Sequence, residues 1–232
     1  MTIWPSWRLY RGPAVVPTEH KTSYASRPLA VAVCLAALAG YVDALGFLFM
    51  RGLYVSFMSG NSTRFAAEIA QANWHAAAAT AALIGAFIFG VILGQLVAAR
   101  DLALDLAAVG VLLAAAAGLH WLGYTSPVLA LMAIAMGVEN CALDRDGDVT
   151  LSLTYVTGTL VKFGRQIAGA LRGRDRFGWV PYLLLWCGFS IGAIVGAIAF
   201  DRFGLDGVWF ASGGAFLLIP TAFWLRGRRR AN

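Results

Sequence analysis

Long runs of apolar residues, separated by short polar segments, make up most of this chain. A helix needs about 20 apolar residues to cross a hydrocarbon core of about 30 Å, and six runs reach or approach that length. They are residues 29–49, 76–99, 102–122, 127–143, 179–200 and 208–225. The fourth run is short and ends in Glu139 and Asn140, which we therefore expect at the membrane interface. The pattern predicts an all-α integral membrane protein with about six transmembrane helices.

Composition supports this class. Of the 232 residues, 59% are hydrophobic and only 13% are charged, which lies outside the range of soluble domains. The net charge of +6 does not indicate nucleic acid, because the basic residues cluster in the two tails and one loop, as the positive-inside rule predicts. The expected partner is the lipid bilayer.

The distribution of Lys and Arg also predicts the orientation. With six spans and a cytoplasmic N-terminus, only Arg51, Arg64 and Arg202 lie on the outer side. Both termini are then cytoplasmic. The predicted organisation is a cytoplasmic tail at 1–27, a transmembrane domain at 28–225 and a basic cytoplasmic tail at 226–232.

Two polar, glycine-containing segments interrupt the apolar pattern, at residues 54–65 and 154–163. Ser59-Gly60 in the first corresponds to Thr157-Gly158 in the second, and Arg64 corresponds to Lys162. The correspondence extends to the flanking spans, with repeat one at about 28–123 and repeat two at about 126–225. Three spans in each repeat would invert the second copy in the membrane. Paired glycine-interrupted segments in inverted repeats are typical of transporters, with the site at the repeat interface.

An eight-span topology is the alternative. If both motif segments crossed the membrane, the two halves would be parallel repeats instead. We prefer six spans, in which each motif segment is re-entrant or interfacial, because a full crossing would place Arg64, Glu68, Lys162 and Arg165 in the bilayer at appreciable cost.

The candidate substrate-binding residues combine hydrogen-bonding groups with charges. They are Asp43, Ser59, Gly60, Asn61, Arg64, Thr157, Gly158, Thr159 and Lys162. Asp43 lies in the first apolar run, where an ionisable residue indicates function by default, and its expected partner is Arg64 or Arg51. Residues 59–63 are expected to cap a helix that favours an anionic group. The alternative is that the motifs only pack the bundle with small polar residues.

Glycines at intervals of four occur in the second and fifth spans. They are Gly90, Gly94, Gly188, Gly192 and Gly196. Such spacing predicts close helix packing rather than a nucleotide-binding loop. Because the glycines occupy matched positions, we expect the second and fifth spans to pack together at the pseudo-twofold centre, with homodimer contacts as the alternative.

No pattern indicates an enzyme, a metal or a cofactor. Cys34, Cys141 and Cys187 lie in or at the end of apolar runs without metal-ligand or disulfide spacing. The three histidines are scattered, with no nucleophile and base arrangement. The aspartates at 144, 146 and 148 lack the glycine and glutamate of a calcium loop, and we interpret them as a hydrophilic turn.

Taken together, the residues 40–44, 56–61 and 154–161 resemble the YoaK-like family of uncharacterised bacterial inner-membrane proteins, a domain-of-unknown-function family. The resemblance implies a multi-spanning inner-membrane protein of about six helices, without an established substrate. The family pattern tends towards Gln-Asn where this chain has Glu139-Asn140. The sequence thus predicts a transporter-like protein with a small-solute or ion site between the two motifs; the alternative is a non-transporting scaffold or accessory protein.

Overall fold

The computed structural model describes residues 26–98, 101–142 and 156–229, and no strand occurs among them. The all-α prediction is confirmed. The helices are α1 (Ser26–Phe49), α2 (Met58–Ala70), α3 (Trp74–Leu93), α4 (Leu102–Trp121), α5 (Ser126–Cys141), α6 (Val156–Leu171), α7 (Val180–Phe203) and α8 (Val208–Arg229). Almost all of the predicted N-terminal tail, the aspartate turn, the start of the second motif and the last three residues lie outside the described residues.

Four stretches of the described chain are long and apolar enough to cross a membrane: Leu29–Phe49, Trp74–Leu96, Leu102–Trp121 and Val180–Phe223. The last contains α7 and most of α8 in its 44 residues. A straight helix of that length would measure about 66 Å, roughly twice the hydrocarbon core. Instead the chain turns at Gly204, where φ is 57°, through a 3-10 turn at Gly204–Gly207. The protein is therefore a multi-pass membrane protein, and α5, with 16 residues, is a shorter apolar helix.

Local sequence explains several of the helix ends. The side chain of Asp101 accepts a hydrogen bond from the backbone N–H of Ala103 and so caps the start of α4. Pro127 lies in the first turn of α5, where a proline removes no helical hydrogen bond. After α3 the helix continues as a π-helical turn at Gly94–Ala98.

The longer helices form three main pairs: α1 packs on α7, α3 on α5, and α4 on α8. Helix α4 also packs on α5, and α1 more lightly on α8. No contact joins α3 and α7 in the described part of the chain. The prediction that the second and fifth spans pack together is therefore wrong. Each of these helices packs instead against the first long helix of the other half.

Glycines allow the α1–α7 pair to approach at backbone distance. A methyl group at Gly192 would overlap the carbonyl oxygen of Ala37, and one at Gly196 would overlap that of Tyr41. Since both residue numbers increase together along this contact, α1 and α7 run parallel.

The α3–α5 pair has the same arrangement. A methyl group at Gly90 would overlap the carbonyl oxygen of Ile134, and one at Gly94 would lie 3.2 Å from the Cα of Val138. These helices are therefore also parallel. Small residues are the usual means of bringing membrane helices this close.

Buried apolar side chains form two clusters. The larger one involves α1, α4, α5 and the start of α8, and includes Leu45, Leu113 and Met136. The smaller one surrounds the first half of α1, the start of α4 and the end of α5, and includes Leu35 and Leu106. Outside these clusters, α3 and α7 expose large apolar side chains, which lipid would cover.

Candidate functional site

The carboxylate of Asp43 anchors the segment that leads into α2. After α1 the chain reverses at Arg51 and Gly52, both with positive φ, and returns beside the last turns of α1. Oδ1 of Asp43 accepts hydrogen bonds from the backbone N–H groups of Val55, at 2.8 Å, and Ser56, at 2.9 Å. Asp43 is only 4% exposed, and a buried carboxylate needs such donors to offset its lost hydration.

The expected ion pair between Asp43 and Arg64 is wrong. The Nε of Arg64 lies 2.8 Å from Oε1 of Glu68, and its NH1 donates to the backbone carbonyl of Arg51 at 3.2 Å. The amides that bind Asp43 belong to the backbone of a loop. Every residue type except proline has a backbone N–H group, so the sequence does not show which of these groups will act as donors. The sequence therefore predicted a partner of the wrong kind.

The side chain of Asn61 also holds this segment through hydrogen bonds. Its Oδ1 accepts a hydrogen bond from the backbone N–H of Tyr54 at 3.0 Å, and its Nδ2 donates to the carbonyl of Tyr54 at 2.6 Å. The Asn61 side chain is fully buried. Gly60 lies against the rings of Tyr54 and Phe57, where a Cβ would come within 2.7 Å of the Phe57 ring. The motif residues therefore hold their own loop in shape.

The predicted N-cap at 59–63 is also wrong. Helix α2 begins at Met58, and Phe57 makes no side-chain capping bond. The hydroxyls of Ser62 and Thr63 donate instead to the carbonyls four residues earlier, while Ser59 is exposed. The amides just before α2 already bind a carboxylate, that of Asp43. An anion is thus present beside this helix start, but the protein itself supplies it.

A polar contact that the sequence analysis missed joins α2 to α3. Glu68, which is buried, accepts from Arg64 through Oε1 and from the hydroxyl of Thr80 through Oε2 at 2.8 Å. The hydrogen bond from Arg64 holds the pKa of Glu68 below its ordinary value of 4.5, and Thr80 acts in the same direction. The four-residue spacing of Arg64 and Glu68 was the available signal.

The described part of the second motif, residues 156–163, lies in α6. Gly158 is buried, Thr157 is exposed, and Thr159 and Lys162 are partly buried. The ring of Phe163 packs edge-on against that of Trp179, with centroids 6.1 Å apart. This contact attaches α6 to the residue just before α7.

The structure does not bring the two motifs together. Helix α2 contacts α3, and α6 contacts α7, but the described parts of α2 and α6 do not contact each other. The segment before α2 lies beside the last turns of α1, whereas α6 lies beside the start of α7. Because α1 and α7 run parallel, these positions are at opposite ends of the bundle. The predicted site residues therefore form two separate groups, and Asp43 belongs to the first.

Glu139, expected at the interface, lies in the bundle interior. It is 1% exposed, and neither carboxylate oxygen has a hydrogen-bond partner among the described residues. One turn earlier on α5, Met136 belongs to the larger apolar cluster; one turn later, Ala142 belongs to the smaller one. The expectation failed because α5 ends inside the bundle. Asp105, on the adjacent helix α4, is also buried.

The chain matches, over residues 31–221, a family described as a protein of unknown function, DUF1275. It is 34% identical over 203 residues to the UPF0700 transmembrane protein RA0705 of Rhizobium meliloti (strain 1021), and the match covers 86% of this chain and 88% of the relative. No solved structure matches the chain. These matches confirm the resemblance to a family of uncharacterised membrane proteins.

Proposed function

We propose, from the premise that this chain belongs to the DUF1275 family of proteins of unknown function, that it is a transporter-like protein of the bacterial inner membrane. In this proposal α1, α3 and α4 form one three-span unit and α5, α7 and α8 form a second, inverted unit. The chain moves a small solute or ion and catalyses no reaction.

The observation that carries this proposal is that the helix contacts stay the same when each helix of one half is replaced by its counterpart in the other half. Replacing α1 by α5, α2 by α6, α3 by α7 and α4 by α8 turns the α1–α7 contact into the α5–α3 contact. The same exchange turns α2–α3 into α6–α7, and α4–α5 into α8–α1, all of which occur. It also relates single contacts: a methyl group at Gly40 would overlap the carbonyl of Phe189, and one at Gly137 would overlap that of Phe87.

Helix direction and charge support the proposed inverted arrangement. The two motif helices occupy opposite ends of the bundle, which is the result expected when one unit is turned over in the membrane. The basic residues Arg172, Arg174 and Arg176 follow α6. Under the positive-inside rule they place α6 on the cytoplasmic side, so α2 lies on the outer side. Both motif helices are short, at 13 and 16 residues, or about 20 and 24 Å.

We therefore replace the single site between the motifs by two half-sites at the ends of one path. The outer half-site contains Asp43, Ser59, Gly60, Asn61 and Arg64. The inner half-site contains Thr157, Gly158, Thr159 and Lys162. Equivalent segments at opposite ends are suited to opening in turn, as alternating access requires.

Transport can be tested on the full-length protein in two stages. Purified protein is first screened by thermal shift against metabolites and inorganic ions, because a ligand that binds only the native state raises the unfolding midpoint. Each hit is then offered as radiolabelled solute to proteoliposomes. We expect uptake down the solute gradient into liposomes that contain the protein, and none into empty liposomes.

Asp43→Asn is the matched variant. An asparagine keeps an oxygen that can accept from the amides of Val55 and Ser56, so the fold should survive while the charge is lost. Uptake that disappears in this variant with an unchanged unfolding midpoint supports a role for the Asp43 charge. If no hit is taken up by the wild-type protein, the transporter proposal is contradicted.

A non-transporting scaffold is the second candidate, and one observation favours it. The side chains of Asp43 and Asn61 hydrogen-bond to the chain's own backbone. The role of the motif in this candidate is only to stabilise the helix bundle. In that case the wild-type protein should take up no solute, although Asn61→Ala should still lower the unfolding midpoint.

A further inference from the structure

We propose that Glu139 is a proton-binding site in the interior of the helix bundle, whose carboxyl group takes up and releases one proton. This inference deepens the proposed function and rests on it for the use of the proton in coupling. The existence of the proton site itself can be tested without any solute.

The burial of Glu139 and its lack of partners carry the inference. Glu139 is 1% exposed and lies along the chain between Met136 of the larger apolar cluster and Ala142 of the smaller one, and neither carboxyl oxygen has a hydrogen-bond partner among the described residues. An isolated carboxylate is very costly to bury in its ionised form. By contrast, Asp43 has two backbone amide donors and Glu68 has Arg64 and Thr80. Of these three acids, only Glu139 has no hydrogen-bond donor among the described residues to stabilise its negative charge.

Among the described residues, the surroundings of Glu139 supply no buried compensating positive charge. Helix α5 packs against α1, α3, its π-helical extension and α4. The titratable side chains described on these elements and on α5 are Cys34, Tyr41, Asp43, His75, Asp101, Asp105, His120 and Cys141. None of the buried side chains in the described ranges is Lys, Arg or His. A bound proton neutralises Glu139 where none of the described cationic side chains does.

A proton fits this position better than a metal cation does. Metal ions such as calcium and magnesium take about six or more oxygen ligands. The described residues contain no group of three His, Cys, Asp or Glu side chains that could hold a metal, and none of them hydrogen-bonds to the oxygens of Glu139. A proton needs only the carboxylate. Buried acids of this kind are recurring components of proton relays in transporters.

Infrared spectroscopy of the full-length protein in lipid tests the inference directly. A protonated carboxylic acid has a carbonyl stretch separate from the bands of the carboxylate and the peptide backbone. We expect such a band in the wild-type protein at neutral pH and its loss in Glu139→Gln. It should remain in Glu68→Gln, because Glu68 is paired with Arg64 and ionised. The Glu139 band should shift in deuterated water and decrease reversibly as pH is raised.

Two results would overturn the proton site. If Glu139→Gln removes no protonated-carboxyl band, the group is ionised in the wild type. If the band neither shifts in deuterated water nor changes with pH, the acid is permanently neutral and exchanges nothing. Should Glu139→Gln fail to fold, Glu139→Asp keeps the carboxyl group and should move the band instead of removing it; an unmoved band would equally contradict the proposal.

The proton site and transport can fail independently. A titrating Glu139 band together with no solute uptake retains the proton site and rejects the transporter. Solute uptake that is unchanged in Glu139→Gln, and that drives no proton movement, rejects coupling through Glu139 but leaves the transporter.

Discussion

A methyl group added at Gly192 should separate the α1–α7 pair. In the structure this Cβ would overlap the carbonyl oxygen of Ala37 and lie 2.7 Å from its Cα. Both are backbone atoms, which cannot move away without shifting the helix. Overpacking of this kind costs typically about 1–3 kcal/mol. Replacing glycine by alanine within a helix also stabilises the helix by about 1 kcal/mol. The net decrease in the free energy of unfolding for Gly192→Ala is therefore smaller than the cost of the overlap itself.

Gly85→Ala removes that ambiguity. Gly85 lies within α3, and a Cβ there would meet nothing within 4 Å, so this variant shows the helix-propensity gain alone. The free energy of unfolding, measured in mixed micelles with an increasing fraction of sodium dodecyl sulfate, should be lower in Gly192→Ala than in Gly85→Ala by about 1–3 kcal/mol. Gly90→Ala, at the equivalent contact with Ile134, should resemble Gly192→Ala.

Equal free energies of unfolding for Gly192→Ala and Gly85→Ala would refute the close contact between α1 and α7. A loss at Gly192 without a loss at Gly90 would leave that contact intact but contradict the equivalence of the two helix pairs.

Three further predictions concern Asn61 of the first motif and the two acids that hydrogen-bond to the motif, Asp43 and Glu68. Asn61→Ala should lower the free energy of unfolding, measured in the same micelles, by about 1–3 kcal/mol for each backbone group of Tyr54 left unpaired. An unchanged value would contradict a stabilising role for the hydrogen bonds between Asn61 and Tyr54. Asp43→Leu, which removes the acceptor for two amides, should lower the thermal midpoint more than Asp43→Asn does, and equal midpoints would show that these hydrogen bonds contribute nothing. Because the pKa of Glu68 is lowered on folding, the ionised Glu68 side chain stabilises the folded state above pH 4.5. This stabilisation is lost as the pH falls below that value. The thermal midpoint of the wild type should therefore drop more between pH 7 and pH 4 than that of Glu68→Gln, and parallel curves would count against the pairing with Arg64.

The long helices could be predicted from the sequence because apolar runs of membrane-spanning length carry a strong signal. The runs at 29–49 and 102–122 correspond closely to α1 and α4. The division of Val180–Phe223 into two helices could also be predicted, since Gly204 and Asp206 interrupt the run. The lengths and positions of the apolar runs were thus sufficient to predict an all-α membrane protein.

The pairing of the helices could not be predicted in the same way. Glycines at intervals of four indicate that some backbone comes close, but they do not say which one. The matched positions of Gly90 and Gly192 led to the expectation that their helices meet, whereas each contacts a helix of the other half. The identity of a packing partner depends on tertiary structure that single-helix periodicity does not contain.

The polar contacts were the least predictable. A lone acid in an apolar run correctly indicated that Asp43 needs a partner, but the partner proved to be loop amides rather than a cation. For Glu139, the nearness of the helix end suggested exposure to water, while the surrounding helices bury it. In both cases the environment is provided by residues distant in sequence or by backbone groups.

Side-specific labelling of cysteines distinguishes the proposed inverted arrangement of the two units from a parallel one. In a variant with Cys34, Cys141 and Cys187 replaced by alanine, Gln71→Cys and Arg172→Cys introduce single thiols at exposed positions after α2 and α6. With a membrane-impermeant maleimide, we expect labelling at position 71 in intact spheroplasts, and labelling at position 172 only after permeabilisation. Labelling of both positions from the same side would contradict the inverted arrangement.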